Sequence, residues 1–469
     1  MARFVPGLRG DFCRLMTDQQ LGQWSMVWSF LMMLAPLAVL GLPGCFGRFV
    51  EHYRHEGQLR TFVMRVSAVS CLVTLCLTAT IFLFPESWSW LVFRESTHTS
   101  IVMWVGFSLI FVTAMNFLMS LMEALRQIRL VTVMRFILGT AFFAVGCSLM
   151  LVWKDMTAAA TAGFGIGCIA ASIPAAWFIW KFRGAFVDSG NRLSHMNMWS
   201  RIAPFALWMW WSNLCYNLFE VADRYMLIHW SPVEASVAQS SVGQYHSGRV
   251  LPLLLVGVSV VLGGLLMPYM SAAWVKGEHR KAQNQLTWTI KLTGLSFTIA
   301  GFACLLLAPF LFNTFLEGRY NDGLAVLPLT MVYCIWMSLS TVGQDYMWVA
   351  EKGKYVLAAV SSSLVLNITL NMLLIPTMGM WGAVIATTAA NAVNLVLIYG
   401  CNHRIGCRTD AGVWTTAILP LSLLLPQIVI VFVLATVAIV AIRTNWIFNP
   451  EEKSRLGNLL NDVRGKLGI

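Results

Sequence analysis

Charged residues are scarce in this chain. Of its 469 residues only 11% are Asp, Glu, Lys or Arg, whereas 58% are hydrophobic, and the mean hydropathy is +0.70. A soluble domain of ordinary composition carries about 25% charged residues, because these residues cover its surface. The shortage of charge excludes a soluble globular protein and indicates a chain whose outer surface faces lipid.

Several signatures of catalysis, redox chemistry and metal binding are also missing. No GxxxxGK[ST] phosphate loop occurs, so the chain does not hydrolyse nucleotide itself. None of the eleven cysteines forms a CxxC pair, and most lie in apolar stretches, as small buried hydrophobic residues do. The GFGIG at 163–167 lies in an apolar helical stretch, so Gly163 and Gly167 are interpreted as a close-packing pair. The EHYRH at 51–55 has too few ligands for a metal site. No cofactor and no metal ion are therefore predicted.

Long apolar runs are what the sequence does contain. A transmembrane helix needs about 20 consecutive apolar residues. Runs of that length recur at 22–49, 62–84, 100–124, 130–153, 159–182, 199–229, 242–271, 284–312, 324–350, 353–376 and 379–400. The stretch 412–446 is too long for one span, so it is interpreted as a hairpin of two short helices bending near Pro426. These runs predict an all-α polytopic membrane protein with about 13 transmembrane helices.

The loops between these runs differ in basic charge. One alternate set of loops holds Arg48, Arg54, Arg60, Arg126, Arg129, Lys181, Arg183, Arg192, Lys276, Arg280, Lys281, Lys352, Lys354, Arg404 and Arg408. The other set holds only Arg94, Lys154 and Arg319. By the positive-inside rule the first set is cytoplasmic. The net charge of +11 is then an insertion signal that also attracts anionic membrane lipids, and no nucleic-acid partner is predicted.

Two similar tetrapeptides, LGQW at 21–24 and VGQY at 242–245, each begin a long apolar run. Each run leads to a glycine-centred charged loop, HEGQLR at 55–60 and KGEHRK at 276–281. This repetition predicts two homologous helical halves, related as parallel repeats around a cavity. The predicted organisation is an N-terminal lobe at 1–190, a C-terminal lobe at 199–400, the hairpin at 412–446 and an amphipathic cytoplasmic tail at 449–469.

The two halves differ at their beginnings. VGQY opens the second helix of its half, after 199–229, whereas no apolar run precedes LGQW. We therefore expect that the first helix of the repeat is absent, which leaves about five helices in the N-terminal lobe. The tail is predicted to lie along the inner membrane surface, because its apolar residues share one helical face. These residues are Leu456, Leu459, Leu460, Val463 and Leu467.

Four stretches carry a family resemblance. They are LMTDQQLGQW at 15–24, VADRYML at 221–227 followed by VGQY, FLEGRYNDGLAVLPL at 315–329, and LLIPTMGMWGAVIATTAANAV at 373–393. In their order and spacing, over about 15–445, the chain resembles the polysaccharide flippases, the O-antigen and lipid-linked oligosaccharide exporters of the multidrug/oligosaccharidyl-lipid/polysaccharide superfamily. The resemblance implies twelve helices in two lobes around a hydrophilic cavity, with two further helices after them.

The same resemblance implies a function. It indicates a non-enzymatic protein of the bacterial inner (plasma) membrane that moves an undecaprenyl-diphosphate-linked oligosaccharide from the inner to the outer leaflet by alternating access. The implied partners are this lipid-linked oligosaccharide, membrane lipids and the enzymes of polysaccharide assembly.

Ionisable residues within the predicted spans are the candidate functional residues, because charges in lipid are costly. The helix at 199–229 carries Tyr216, Glu220 and Asp223 on one face, and Arg249 lies at a matching depth in the next helix. A guanidinium matches the oxygens of a diphosphate, so Arg249 is predicted to hold this group and Asp223 to orient Arg249. The alternative is a structural ion pair of Asp223 with Arg249 or Arg224.

Each of the other polar candidates also has two interpretations. Asp345 could bind a coupling cation or a proton, or could reach the membrane surface. Asn367 and Asn371 could meet sugar hydroxyl groups, although asparagine between membrane helices is more often an interhelical contact. Arg48 could draw a diphosphate to the cytoplasmic mouth, but a topology anchor is the favoured interpretation.

Three other functions stay open. A multidrug cation antiporter of the same superfamily needs carboxylates in the first-lobe cavity, where only Glu123, at a helix end, is found. A lipid II flippase would favour a basic first-lobe cavity, and the helices of this lobe carry little positive charge inside. A polysaccharide polymerase or ligase would need a catalytic His/Glu/Arg constellation in an outer loop, and we expect none in 85–99 or 230–241.

Overall fold

A computed structural model of the chain describes residues 16–182, 184, 188 and 193–454. Every regular element of these residues is helical, which confirms the predicted all-α fold. The predicted amphipathic tail falls mostly on 455–469, which lies outside the described residues, as do residues 1–15. Two compact units make up the chain: Met1–His246 with Asn371–Ala383, and Ser247–Leu370 with Val384–Ile469.

The first unit contains most of the N-terminal helices. They are α1 (Asp18–Ala38), α2 (Phe46–His55), α3 (Leu59–Leu83), α4 (Pro85–Phe93), α5 (Thr99–Ala124), α6 (Ile128–Val152), α7 (Met156–Lys181) and α8 (His195–Trp230). Helix α1 begins with a capping box, in which the Thr17 hydroxyl accepts from the Gln20 amide and the Gln20 side chain accepts from the Thr17 amide. The LGQW stretch is therefore part of the first turns of α1.

The second unit contains most of the C-terminal helices. They are α9 (Ala235–Val275), α10 (His279–Phe310), α11 (Asn321–Gly343), α12 (Asp345–Val349), α13 (Gly353–Met378), α14 (Met380–Arg404), α15 (Ala411–Ile418) and α16 (Gln427–Arg443). The first residues of α9, the last residues of α13 and the first residues of α14 belong to the first unit. A 3-10 turn, Leu419–Leu424, extends α15, and Pro426 is the N-cap of α16. The stretch 412–446 is thus two short helices, because proline cannot continue the preceding helix.

Ten helical segments of the described chain are long and apolar enough to cross a membrane. Helix α8 is 36 residues long but less apolar, since Asn213, Asn217, Glu220 and Asp223 interrupt it. Two shorter apolar segments, Ala411–Leu424 and Gln427–Arg443, follow. Counted together within the described residues, these segments agree with the predicted total of about 13 spans. The protein is a multi-pass membrane protein.

Two predicted spans are divided in the structure. The run 22–49 is not one helix: α1 ends at Ala38, and Gly41 adopts a positive φ of 68° before α2 begins at Phe46. A Cβ atom at Gly41 would lie 2.5 Å from the carbonyl oxygen of Ala206, so the turn requires glycine in both conformation and space. The run 324–350 is also interrupted, at Gln344, and Asp345 opens the short α12.

Helices α6 and α7 pack with their backbones in contact. A Cβ atom at Gly163 would lie 2.7 Å from the Cα of Gly146, and one at Gly167 would lie 3.2 Å from the amide nitrogen of Phe142. Both glycines of the GFGIG stretch are thus close-packing residues, as predicted.

An ion cluster around a buried lysine ties the C-terminal segment to α10. The ammonium group of Lys291, whose side chain is fully buried, donates to Asp410 Oδ2 at 2.5 Å and to Glu452 Oε2 at 2.9 Å. Asp410 also caps α15 by accepting from the Val413 amide at 3.0 Å. The cluster therefore joins α10, the start of α15 and the segment after α16.

Candidate functional site

The acidic candidate Asp223 lies in a buried polar cluster of the first unit. Its side chain is 2% exposed, and its carboxylate accepts hydrogen bonds from the Tyr245 hydroxyl and, at 2.8 Å, from the Arg224 amide. The guanidinium of Arg224, also buried, donates to the Ser29 hydroxyl of α1. The cluster joins α8 to α1 and to the first turns of α9.

Tyr245, the last residue of VGQY, was not among the sequence-predicted candidates. A tyrosine in an apolar helix resembles any other core aromatic residue until a buried acceptor is found beside it. Its ring is fully buried, and its hydroxyl donates to Asp223. The repeat offered one signal in the sequence. Trp24 of LGQW and Tyr245 of VGQY occupy equivalent positions, and only Tyr245 carries a hydroxyl group.

The Tyr245–Asp223 contact makes a first testable prediction. In Tyr245→Phe the ring remains but the hydroxyl is lost, so the buried carboxylate has one donor fewer. Hydrogen bonds to charged groups contribute about 1.5–3 kcal/mol, and we expect destabilisation of that order. Thermal unfolding of the detergent-purified protein measures the change.

The control is Tyr269→Phe, which removes a hydroxyl from the same helix at a side chain that is 68% exposed. It should leave the melting temperature unchanged. Equal melting temperatures for both variants would show that the hydroxyl of Tyr245 contributes nothing to stability.

The remaining candidates of the first unit differ in burial. Tyr216 and Glu220 are half-buried on α8, and Asn371 is fully buried in α13. Arg48 is exposed near the start of α2, and its guanidinium carbon lies 5.1 Å from the Phe205 ring centroid of α8. A cation over an aromatic face is held by the ring quadrupole, so Arg48 has a defined place against α8.

The basic candidate Arg249 lies in the second unit, where its side chain is 2% exposed. Its guanidinium carbon lies 6.0 Å from the centroid of the Tyr333 ring of α11. Next to it, a Cβ atom at Gly248 would lie 2.6 Å from the Gly323 carbonyl oxygen, so α9 and α11 touch through their backbones. The buried guanidinium thus lies beside a close crossing of α9 and α11.

The carboxylate of Asp345 is buried against α9 in the same unit. The residue is 7% exposed, and a Cβ atom at Gly263 would lie 2.7 Å from Asp345 Oδ2. Gly263 therefore leaves the space that this carboxylate occupies. Among the described residues, Oδ2 has no hydrogen-bond partner. The carboxylate is therefore buried within the second unit.

Asn367 connects two helices of the second unit. Its fully buried side-chain amide donates to the Thr387 hydroxyl of α14 at 3.2 Å. Asn391, one turn further along α14, donates to the Thr387 carbonyl oxygen at 2.9 Å. Amide and hydroxyl groups thus form a polar strip where α13 meets α14.

The loop between α4 and α5 contains acidic, basic and imidazole groups together, contrary to the expectation for 85–99. His98 Nε2 lies 2.9 Å from Glu95 Oε2. Arg94 donates to the carbonyl oxygens of Ile228, Ser231 and Val233 at 3.1–3.3 Å. The carbonyls at the end of a helix need such donors, so Arg94 caps α8 and has a structural role.

Comparison with known proteins identifies one sequence family and one shared fold. The family described as polysaccharide biosynthesis protein matches residues 12–274 of the chain. No curated protein sequence matches it. Among solved structures, an inward-facing multidrug resistance MATE family transporter of the MOP superfamily superposes with a TM-score of 0.70 at 13% identity, over 85% of this chain and 94% of its own.

The lipid II flippase MurJ, in an inward closed conformation, superposes with a TM-score of 0.66 at 15% identity, over 91% of this chain and 97% of its own. An outward-facing multidrug resistance MATE family transporter of the MOP superfamily superposes with a TM-score of 0.60 at 12% identity. The superposition covers 86% of this chain and 95% of the transporter. At such low identities the similarity establishes the fold that these proteins share with this chain.

Proposed function

The chain belongs to the family of polysaccharide biosynthesis proteins, and we propose that it moves an undecaprenyl-diphosphate-linked oligosaccharide from the inner to the outer leaflet of the bacterial inner membrane. The match to that family over residues 12–274 is the observation that carries the proposal. The family and the shared fold support a membrane flippase or transporter. The identity of the substrate, a lipid-linked oligosaccharide, is our proposal.

The proposed mechanism is alternating access without covalent chemistry. Arg249 holds the diphosphate, because a guanidinium matches phosphate oxygens in pairs. The side-chain amides of Asn367 and Asn371, one turn apart on α13, are the candidates for contacts with sugar hydroxyl groups. Arg48, exposed on the side that the basic loops place in the cytoplasm, attracts the anionic headgroup before it is bound.

Two energy sources fit this substrate. A membrane potential that is negative inside favours outward movement of an anion by about 2.3 kcal/mol per charge for each 100 mV. Asp345, buried beside Gly263 without a hydrogen-bond partner for Oδ2 in the described chain, is the group that would bind a coupling cation or proton.

Lipid extraction from the native host after depletion of the protein tests the proposal. We expect an undecaprenyl-diphosphate-linked oligosaccharide to accumulate, because it is synthesised on the inner leaflet and cannot leave it. Mass spectrometry of the extracted lipids identifies this species and its glycan. A strain that carries the wild-type gene on a plasmid is the control and should restore the normal lipid pool.

The same experiment separates the two alternatives within the fold. Accumulation of lipid II alone would assign the protein to peptidoglycan synthesis. An unchanged lipid pool with new sensitivity to cationic drugs would assign it to the multidrug antiporters. One contact disfavours the antiporter: Glu123, the first-lobe carboxylate considered for that role, pairs with Arg135 at 2.8 Å.

A further inference from the structure

The two repeated tetrapeptides meet in the structure. A Cβ atom at Gly22 of LGQW would lie 1.8 Å from the carbonyl oxygen of Gln239, and one at Gly243 of VGQY would lie 1.8 Å from the carbonyl oxygen of Asp18. Helices α1 and α9 therefore cross with their backbones in contact, entirely within the first unit. Any side chain larger than that of glycine would separate them, because a backbone oxygen cannot move aside as a flexible side chain does.

The crossing of α1 and α9 is approximately two-fold symmetric. Ser25 and His246, which are 221 positions apart, contact each other at 3.1 Å between Oγ and Nδ1. The same offset relates Gly22 to Gly243 and Asp18 to Gln239. Gly22 faces Gln239 while Gly243 faces Asp18, so each half of the contact repeats the other. In a symmetric contact, equivalent residues meet at the axis.

Polar side chains surround the two glycines. Gln239 Oε1 accepts from Gln23 Nε2 at 2.8 Å and from Gln19 Nε2 at 3.2 Å, and the Ser240 hydroxyl donates to the Asp18 carboxylate. Gln239 also donates to the Phe93 carbonyl oxygen at 3.1 Å. Hydrogen bonds of this kind can be exchanged for hydrogen bonds to water when a contact opens. Such a contact is suited to opening and closing.

We propose that this crossing, which we call the glycine seal (Asp18–Ser25 with Gln239–His246), closes the outer end of the transport path and parts when the path opens outward. The basic loops place the beginnings of α1 and α9 at the outer face. Alternating access moves the two repeats of a transporter relative to each other, so a contact between equivalent segments near its outer end must break in one state. The glycine seal rests on the alternating access of the proposed function, and it does not depend on the identity of the transported substrate.

Alanine substitution tests the seal. Gly22→Ala and Gly243→Ala introduce a methyl group against a backbone oxygen, so we expect the seal to stay open. The matched control is Gly264→Ala in α9, where a Cβ atom meets nothing within 4 Å. The readout is Ser25→Cys, fully buried in the closed seal, labelled from outside by a membrane-impermeant maleimide. Each variant is compared with the same protein lacking this added cysteine.

We expect labelling of the introduced cysteine to rise several-fold in Gly22→Ala and Gly243→Ala, and not in Gly264→Ala. Labelling that stays at the control level in folded, membrane-inserted glycine variants would overturn the proposal. This readout needs no substrate, so it is informative even if the transported molecule is not a lipid-linked oligosaccharide.

A cross-link tests the seal without any steric clash, and it applies even if the alanine variants fail to fold. Asp18→Cys and Ser240→Cys replace two half-buried side chains in direct contact, and a short bifunctional methanethiosulfonate joins them. We expect the joined protein to lose transport and to regain it after reduction, while each single-cysteine variant treated with the reagent stays active. Undiminished transport by the cross-linked protein would overturn the proposal.

Discussion

Replacing Lys291 by alanine is expected to remove most of the folded protein from the membrane. The substitution leaves the carboxylates of Asp410 and Glu452 together without the ammonium group that both now contact. Breaking a buried ion pair by removing one partner costs about 3–5 kcal/mol. This range applies to the Lys291–Glu452 pair, because the Asp410 side chain is 38% exposed and contributes less. Native proteins are stable by only about 5–15 kcal/mol, so this loss is a large part of the total.

The protein level in membranes and the melting temperature of the purified protein measure this effect. Lys281→Ala is the control in the same helix, since it removes an exposed ammonium group that contacts Glu278 at 3.0 Å. Exposed ion pairs contribute little, so this variant should resemble the wild type. If Lys291→Ala were as stable as Lys281→Ala, the ion cluster would have no part in holding the C-terminal segment.

Replacing Arg249 by alanine is expected to abolish transport while the protein level stays normal. If the guanidinium holds a diphosphate, its removal deletes a desolvated, charge-assisted contact. Such truncations cost about 2–5 kcal/mol, which is a loss of transport of roughly 30-fold to several thousand-fold. Arg249→Lys keeps the charge but not the planar fork, so its activity should be intermediate.

The measurement is export of the lipid-linked glycan in cells that carry each variant, normalised to the amount of protein in the membrane. Arg319→Ala, which removes an exposed guanidinium that contacts Glu317 at 2.8 Å, is the control. If Arg249→Ala instead depletes the protein from the membrane, Arg249 has a structural role and the diphosphate must be held elsewhere.

The membrane fold could be predicted from the sequence, because each membrane-spanning helix requires a long run of apolar residues. An uninterrupted apolar run of about 20 residues is typical of a membrane-spanning helix and uncommon in soluble domains. The same signal does not show where the backbone turns inside such a run. The division of 22–49 depends on the positive φ of Gly41 and its contact with Ala206, and neither is visible in hydropathy.

The candidate site was predictable to a lesser extent. Buried charges within apolar helices were identified correctly as unusual, and Asp223, Arg249 and Asp345 are all buried. The partner of Asp223 was missed, because one sequence does not show which residues of different helices are neighbours. Lys291 was missed although it lies inside the predicted span 284–312, where the rule applied to Asp345 would have identified it.

The sequence predicted a correspondence between LGQW and VGQY, but it did not predict that the two segments are in contact. Homologous segments share a structure whether or not they touch each other. That Gly22 and Gly243 lie in contact with the opposite helix depends on the three-dimensional arrangement alone.

The contact between α6 and α7 also has a mechanical consequence. Where Gly146 and Gly163 bring the two backbones together, no side chain lies between the helices to change its rotamer and absorb a displacement. Densely packed interiors have low compressibility and transmit strain. We therefore expect α6 and α7 to move together where their backbones touch.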